Sequence, residues 1–246
     1  MKASPFCTVL PLLTLCLFSS ASFAHTTFES PTVPEGTRVL NNLQIGHACG
    51  AGTHVYGTSV VFPDGSDSRI LVDGAPYTGT LGDFVTNWGP NIQPLFNRAV
   101  FNTVDEKNGA FGNVVGFWAG GGAGMPDHMV GYIPFRVNAT NINPQSCATS
   151  VRFHVNIVDI CAITDASGLH EPGVAEFWTH NDLGTVYDRE STLDDGVARL
   201  TIARNTNTNP LPASCAAGTT VDVKVSKAQL ERDMPIRHQG VQVWPK

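Results

Sequence analysis

The chain predicts an all-β fold, an antiparallel β-sandwich, on three observations. Apolar and polar residues alternate in short runs along most of its length, the two-residue period of half-buried strands. Turn-forming clusters separate the runs: Pro-Asp-Gly at 63–65, Asn-Gly at 108–109 and Gly-Gly-Gly at 120–122. Only 15% of the 246 residues are charged, while Gly (24) and Pro (16) are abundant, which suits many short strands joined by tight turns. Sandwiches of about 200–250 residues commonly form one domain, so a single domain with a full core is expected over residues 25–246.

Taken in order, residues 1–24 read as an export signal. Lys2 supplies the positive start, "VLPLLTLCLF" the apolar stretch and "ASFA" the small-residue cleavage pattern. That stretch is shorter than the roughly 20 residues a membrane helix needs, and no small residue precedes Cys16, so neither a span nor a lipid anchor is expected. Cleavage after Ala24 would remove Lys2, leaving 14 Lys and Arg against 21 Asp and Glu, a formal charge of −7. Nucleic acid is thereby an improbable partner, because phosphate binding needs clustered Lys and Arg.

Strand-like runs follow at "RVLNNLQIGH" (38–47), "TSVVFP" (58–63), "SRILVDG" (68–74), "NVVGFWAG" (113–120) and "MVGYIPFRVNA" (129–139). The clearest is "SVRFHVNIVDIC" (150–161), where Val151, Phe153, Val155, Ile157 and Asp159 share one face. Arg152, His154, Asn156, Val158 and Ile160 share the other. "VAEFWTH", "VARLTIAR" and "TTVDVKVS" continue the pattern. "SKAQLERDM" (226–234) is the one helix-like stretch, with Ser226 as N-cap and Leu230 facing the core. "GGGAG" is expected between strands, with no helix after it to close a phosphate site. Cys49, Cys147, Cys161 and Cys215 remain after signal removal, an even number that implies two disulfides with three possible pairings. No Cys-x-x-Cys pair is present, which speaks against zinc.

The chemistry gathers at the predicted new N-terminus. A free α-amine titrates near ~8, so a metal displaces its proton at neutral pH and closes a chelate ring with the His25 imidazole. Copper, at the top of the affinity order for such nitrogen ligands, is the metal this predicts. In an edge strand, positions 25, 27 and 29 share a face, so Glu29 can add an oxygen. His47 and His54 flank Cys49 and are further candidates to join His25. His128 sits between Met125 and Met129, a soft set suited to Cu(I). His154 reads as structural, and "FWTH" places Trp178 and His180 at a Trp-x-His spacing. His170 and His238 give no signal, and no calcium loop, P-loop, dinucleotide fingerprint or Gly-x-Ser-x-Gly occurs.

These pieces resemble, in order over residues 25–180, the YcnI-like family of exported copper-binding domains. "HTTFE" resembles the family's mature start, and "PEGTRVLNNLQIGHACG" its segment ending in a His-Gly-Cys-like signature. "TSVVFPDG" resembles the following strand and turn, and "VTNWGP" stands where a Pro-Gly-Trp is usual. "NVVGFWAGGGAGMPDHMVGYIPFRVNA" and "FHVNIVDIC" are similar to the segments after it. The resemblance implies an immunoglobulin-like sandwich binding Cu(II) through His25 and the Glu29 carboxylate, with Trp88 or Trp118 nearby. It implies the pairing Cys49–Cys161, which leaves Cys147 with Cys215. Trp88 lacks the preceding Pro-Gly, residues 181–246 form an additional β-rich extension, and the histidines outnumber the pattern. A second resemblance is to the copper-repressible surface copper proteins of methane-oxidising bacteria, which use two His and an oxidised Trp.

The expectation is a non-enzymatic copper protein of the bacterial envelope, periplasmic, surface-held or secreted. It would store, deliver or sequester copper, with a copper-trafficking protein as partner. The alternatives are a copper monooxygenase with an N-terminal His brace, or a surface scavenger using internal His and Trp.

Overall fold

The computed structural model describes residues 25–88, 91–109, 112–193 and 196–246; the expected export signal lies outside them. The first half of the chain runs through β1 (Thr27–Phe28), β2 (Thr32–Pro34), β3 (Val39–Ile45) and β4 (His54–Val61). Then come β5 (Arg69–Val72), β6 (Ala75–Tyr77), β7 (Ile92–Pro94), β8 (Thr103–Asn108), β9 (Val114–Pro126) and β10 (Gly131–Val137). The second half holds β11 (Ala148–Ile160), β12 (Ala175–Trp178), β13 (Ala198–Ala203) and β14 (Thr219–Lys224). It closes with α1 (Lys227–Asp233) and the hairpin of β15 (Ile236–His238) and β16 (Val241–Trp244).

The predicted sandwich is present. A four-stranded sheet, β1-β3-β10-β7, faces a ten-stranded one whose main path is β6-β5-β14-β11-β4-β9-β8. Phe28, Leu43, Ile45 and Phe135 from the first sheet pack on Phe62, Phe117, Phe153 and Ile157 of the second. Burying such side chains at about 25 cal/mol per Å² is what drives the two layers together. Two pairings are parallel, β11 with β14 and β13 with β2, so the large sheet is mixed rather than purely antiparallel.

The long strand β11 organises the molecule. Its first half pairs with β13 and β14, its second half with β4 and β12. Its residues are buried on both faces from Phe153 onward, although the sequence alternates. The reason is a second apolar cluster on the far side, where Val158 and Ile160 meet Trp118, Leu230, Met234 and Trp244. The extension after residue 180 supplies that cover and also inserts β14 into the sheet beside β11, so it is integral rather than appended.

Helix α1 forms as predicted, with the Ser226 hydroxyl accepting from Gln229 N at 2.9 Å and Leu230 fully buried. The glycine-rich stretch differs from expectation: β9 continues through it to Pro126. Gly121, Gly122 and Gly124 have φ of +83°, +95° and +80°, and the ladder shifts register opposite them between Val55 and Gly57. The glycines allow an irregular strand here, where side chains would be strained. Both disulfides are formed, Cys49–Cys161 and Cys147–Cys215, the pairing that the family resemblance implies. Among the described residues no helix is long and apolar enough to cross a membrane.

Candidate metal centre

The edge strand β1 pairs with β3, and the loop after β3 carries His47 back towards it. The disulfide from Cys49 to Cys161 ties that loop to the end of β11. Strand β12 pairs with the same end of β11, setting Trp178 opposite Ile157 and Glu176 opposite Asp159. Three segments far apart in sequence thus meet at one corner.

At that corner the imidazoles of His25 and His47 both contact the Trp178 indole, with ring centroids 4.7 Å and 5.9 Å away. His47 Nδ1 lies 2.6 Å from the Ala48 carbonyl oxygen. A carbonyl only accepts, so Nδ1 carries the proton and Nε2 the lone pair. Fixing one ring nitrogen on a carbonyl is how a metal-binding histidine is usually held. The Arg189 guanidinium lies 5.8 Å from the Trp178 ring centre.

Beneath the indole sits Asp159, 1% exposed. Its Oδ2 accepts from Trp178 Nε1 at 2.9 Å and from the Thr26 hydroxyl at 2.5 Å, so one carboxylate orients both the tryptophan and the residue after His25. Oδ1 has no donor at hydrogen-bonding geometry. The Thr58 hydroxyl, across the ladder, still favours the ionised form without that alignment. Burial outweighs these donors and pushes the carboxyl up to about 6. Half-buried Glu176 is likewise raised by burial, while the charges of His47 and Arg189 pull it back, which puts this carboxylate within electrostatic reach of His47. A cleft of about 290 Å³ lined by His170, Glu176, Phe177, Arg189 and Glu190 opens on that side. Another, of about 270 Å³ and lined by His25, Thr27, Pro31 and Arg199, opens on the other.

The remaining candidates lie apart from this corner. Glu29 lies exposed in the bend just after β1 rather than in an edge strand, and its carboxylate accepts from Asn42 Nδ2 at 2.6 Å. Trp88 stacks on Phe153 at 3.7 Å and donates to the Pro63 carbonyl. Trp118 sits opposite Ser59, on the face of the large sheet turned away from Trp178, where it meets His238 at 5.7 Å. Neither is the tryptophan beside His25: Trp118 lies on the opposite face of the sheet by register parity, whereas Trp88 shares the core face but packs farther along β11, on Phe153. His54 stacks against Tyr56 at 6.1 Å. His128 is exposed beside Asp127, Met125 is buried in the core and Met129 is exposed, so the soft triad is not assembled. Among the described residues, no three His, Cys, Asp or Glu side chains converge into a ready-made metal cage.

Sequence reasoning singled out His25 and His47, and noted Trp178 only for its spacing to His180. It missed Asp159 and Glu176 as members of the corner. The signal available was the charged residue ending the buried face of "SVRFHVNIVDIC", which an apolar strand has no reason to carry.

No protein-family model and no curated protein matches the chain. A solved structure of an uncharacterised protein from Nocardia farcinica, described as revealing an immunoglobulin-like fold, is similar at 14% identity with a TM-score of 0.36. The match covers 73% of this chain and 99% of that one. At that distance nothing of its chemistry transfers.

Proposed function

We propose that the chain is an exported copper-binding protein of the bacterial envelope, of the YcnI-like kind, that holds copper at the His25–His47–Trp178 corner. The observation that carries this reading is His47, held by Nδ1 on the Ala48 carbonyl with Nε2 left as a donor, against the same indole that His25 contacts. Two imidazoles are donors that favour copper. The Glu176 carboxylate, within electrostatic reach of His47, is the oxygen ligand this reading assigns. If export cleaves after Ala24, the α-amine of His25 adds a third nitrogen. The two disulfides support an oxidising compartment. A copper-trafficking protein is the expected partner.

The test is Cu(II) titration of protein beginning at His25, followed by native mass spectrometry and electron paramagnetic resonance. One tightly held copper with a type-2 signal is expected. Replacing either histidine by alanine should lower affinity about 100-fold, and Glu176→Gln about tenfold, while Glu29→Ala should leave it unchanged. Stoichiometric tight copper in the His25→Ala/His47→Ala protein would end the proposal.

A further inference from the structure

A second pair of histidines, His154 and His180, lies inside the protein. His154, on β11, is 4% exposed, and its Nε2 lies 2.7 Å from Asp222 Oδ1. Asp222 in turn takes two hydrogen bonds from Arg152, at 2.7 Å and 2.6 Å. A carboxylate accepts, so Nε2 carries the proton and the lone pair of His154 is on Nδ1, which has no hydrogen-bond partner. His180 is fully buried, and its backbone is pinned at both ends: its N–H donates to Asn156 Oδ1 at 3.0 Å and its carbonyl accepts from Arg189 N at 3.0 Å. That brings its ring alongside His154, with centroids 5.8 Å apart and planes 19° from parallel.

We propose that His154 Nδ1 and the His180 imidazole form a buried two-coordinate site for a monovalent soft metal ion, Cu(I) or its analogue Ag(I). Two imidazoles bridged by one ion, with metal–nitrogen bonds of ~2.0 Å, have ring centres roughly 6 Å apart, which the observed 5.8 Å matches, so rotation of the rings is the adjustment the site asks for. The chain carboxylate–imidazole–metal is the arrangement that fixes the tautomer and raises the basicity of a ligating histidine, and Arg152 holds the carboxylate still. A buried polar nitrogen left without a partner costs about 1–3 kcal/mol, which a bound ion offsets. Arg152 already balances Asp222, so that carboxylate does not itself call for a doubly charged ion. This site depends on none of the surface residues, so it stands or falls independently of the copper corner.

The experiment adds Ag(I), which is redox-inert, to the full chain carrying His25→Ala and His47→Ala, labelled with 15N-histidine. One Ag(I) per chain is expected by native mass spectrometry, with the His154 Nδ1 resonance shifted and split by the silver spin. His154→Gln keeps a donor for Asp222 but removes Nδ1, and should weaken Ag(I) binding about 100-fold or more. Absence of bound silver, or bound silver that leaves the His154 resonance unmoved, overturns the proposal. Should His154→Gln fail to fold, the resonance in the double variant decides alone.

Discussion

Two buried ionisable groups lie on opposite faces of the same sheet, and they are treated differently. Lys107, on β8, points to the face covered by α1, where its ammonium donates to Ser59 Oγ and to the carbonyls of Asp233, Met234 and Pro235 at 2.5–3.1 Å. These oxygens include the carbonyl end of α1, a place that favours a cation. Asp159, on β11, points to the other face with one oxygen doubly bonded and the other lacking an aligned donor. The lysine closes a structure; the aspartate orients a tryptophan and the segment bearing His25. A fully hydrogen-bonded group is a fastener, whereas a partly satisfied one beside two half-buried histidines is what the proposed site would need.

The largest test of that contrast removes the disulfides one at a time. Cys49→Ala/Cys161→Ala opens a link across 112 residues and is expected to cost about 5 kcal/mol in urea unfolding and to weaken the proposed copper binding, since it frees the loop carrying His47. Cys147→Ala/Cys215→Ala, across 68 residues, should cost about 4 kcal/mol and leave copper affinity intact. Equal copper affinity in the two would show that the His47 loop needs no anchor.

Lys107→Met comes next, expected to lose about 3 kcal/mol because Ser59 and three carbonyls lose their donor. Copper binding should not change, since the damage is on the far face. Comparable to it is the pH dependence on the near face. The Asp159 carboxyl is raised from 3.8 to about 6, so it binds its proton more tightly folded than unfolded. Its contribution is therefore present below pH 3.8 and lost as pH rises through about 6, amounting to about 3 kcal/mol. Asp159→Asn should flatten the unfolding free energy across that window. Lys107 gives the opposite slope: burial lowers it from 10.5 to about 7, so stability on its account rises between those values. A wild-type profile flat in both windows would mean that neither group titrates as its burial dictates. The smallest effect is Ser226→Ala, which removes the N-cap of α1 and should cost about 1 kcal/mol by thermal unfolding.

Much of this was legible in the chain. The strand over 150–161, the helix with its Ser226 cap and the all-β class follow from local periodicity and capping, which depend on near neighbours alone. His25 and His47 stood out because histidine beside an expected export signal or a cysteine has few structural reasons to be there. The tryptophan of the corner was not legible. Trp88, Trp118 and Trp178 all sit in strand-like or turn contexts, and which one reaches His25 depends on pairing register and sheet face. A shift of one residue sends a side chain to the other side of the sheet.

Sequence alone therefore determined the local matters: short alternating strands, the capped helix, four cysteines available for pairing, and histidines placed near the predicted mature start. Only the tertiary structure decided that residues after 180 complete the central sheet and bury its second face. It also decided that Asp159 lies under Trp178, that Glu176 comes within electrostatic reach of His47, and that His154 meets His180. Each of these is a contact across tens of residues or more, set by which strands pair and which face each side chain takes, and local patterning carries no record of either.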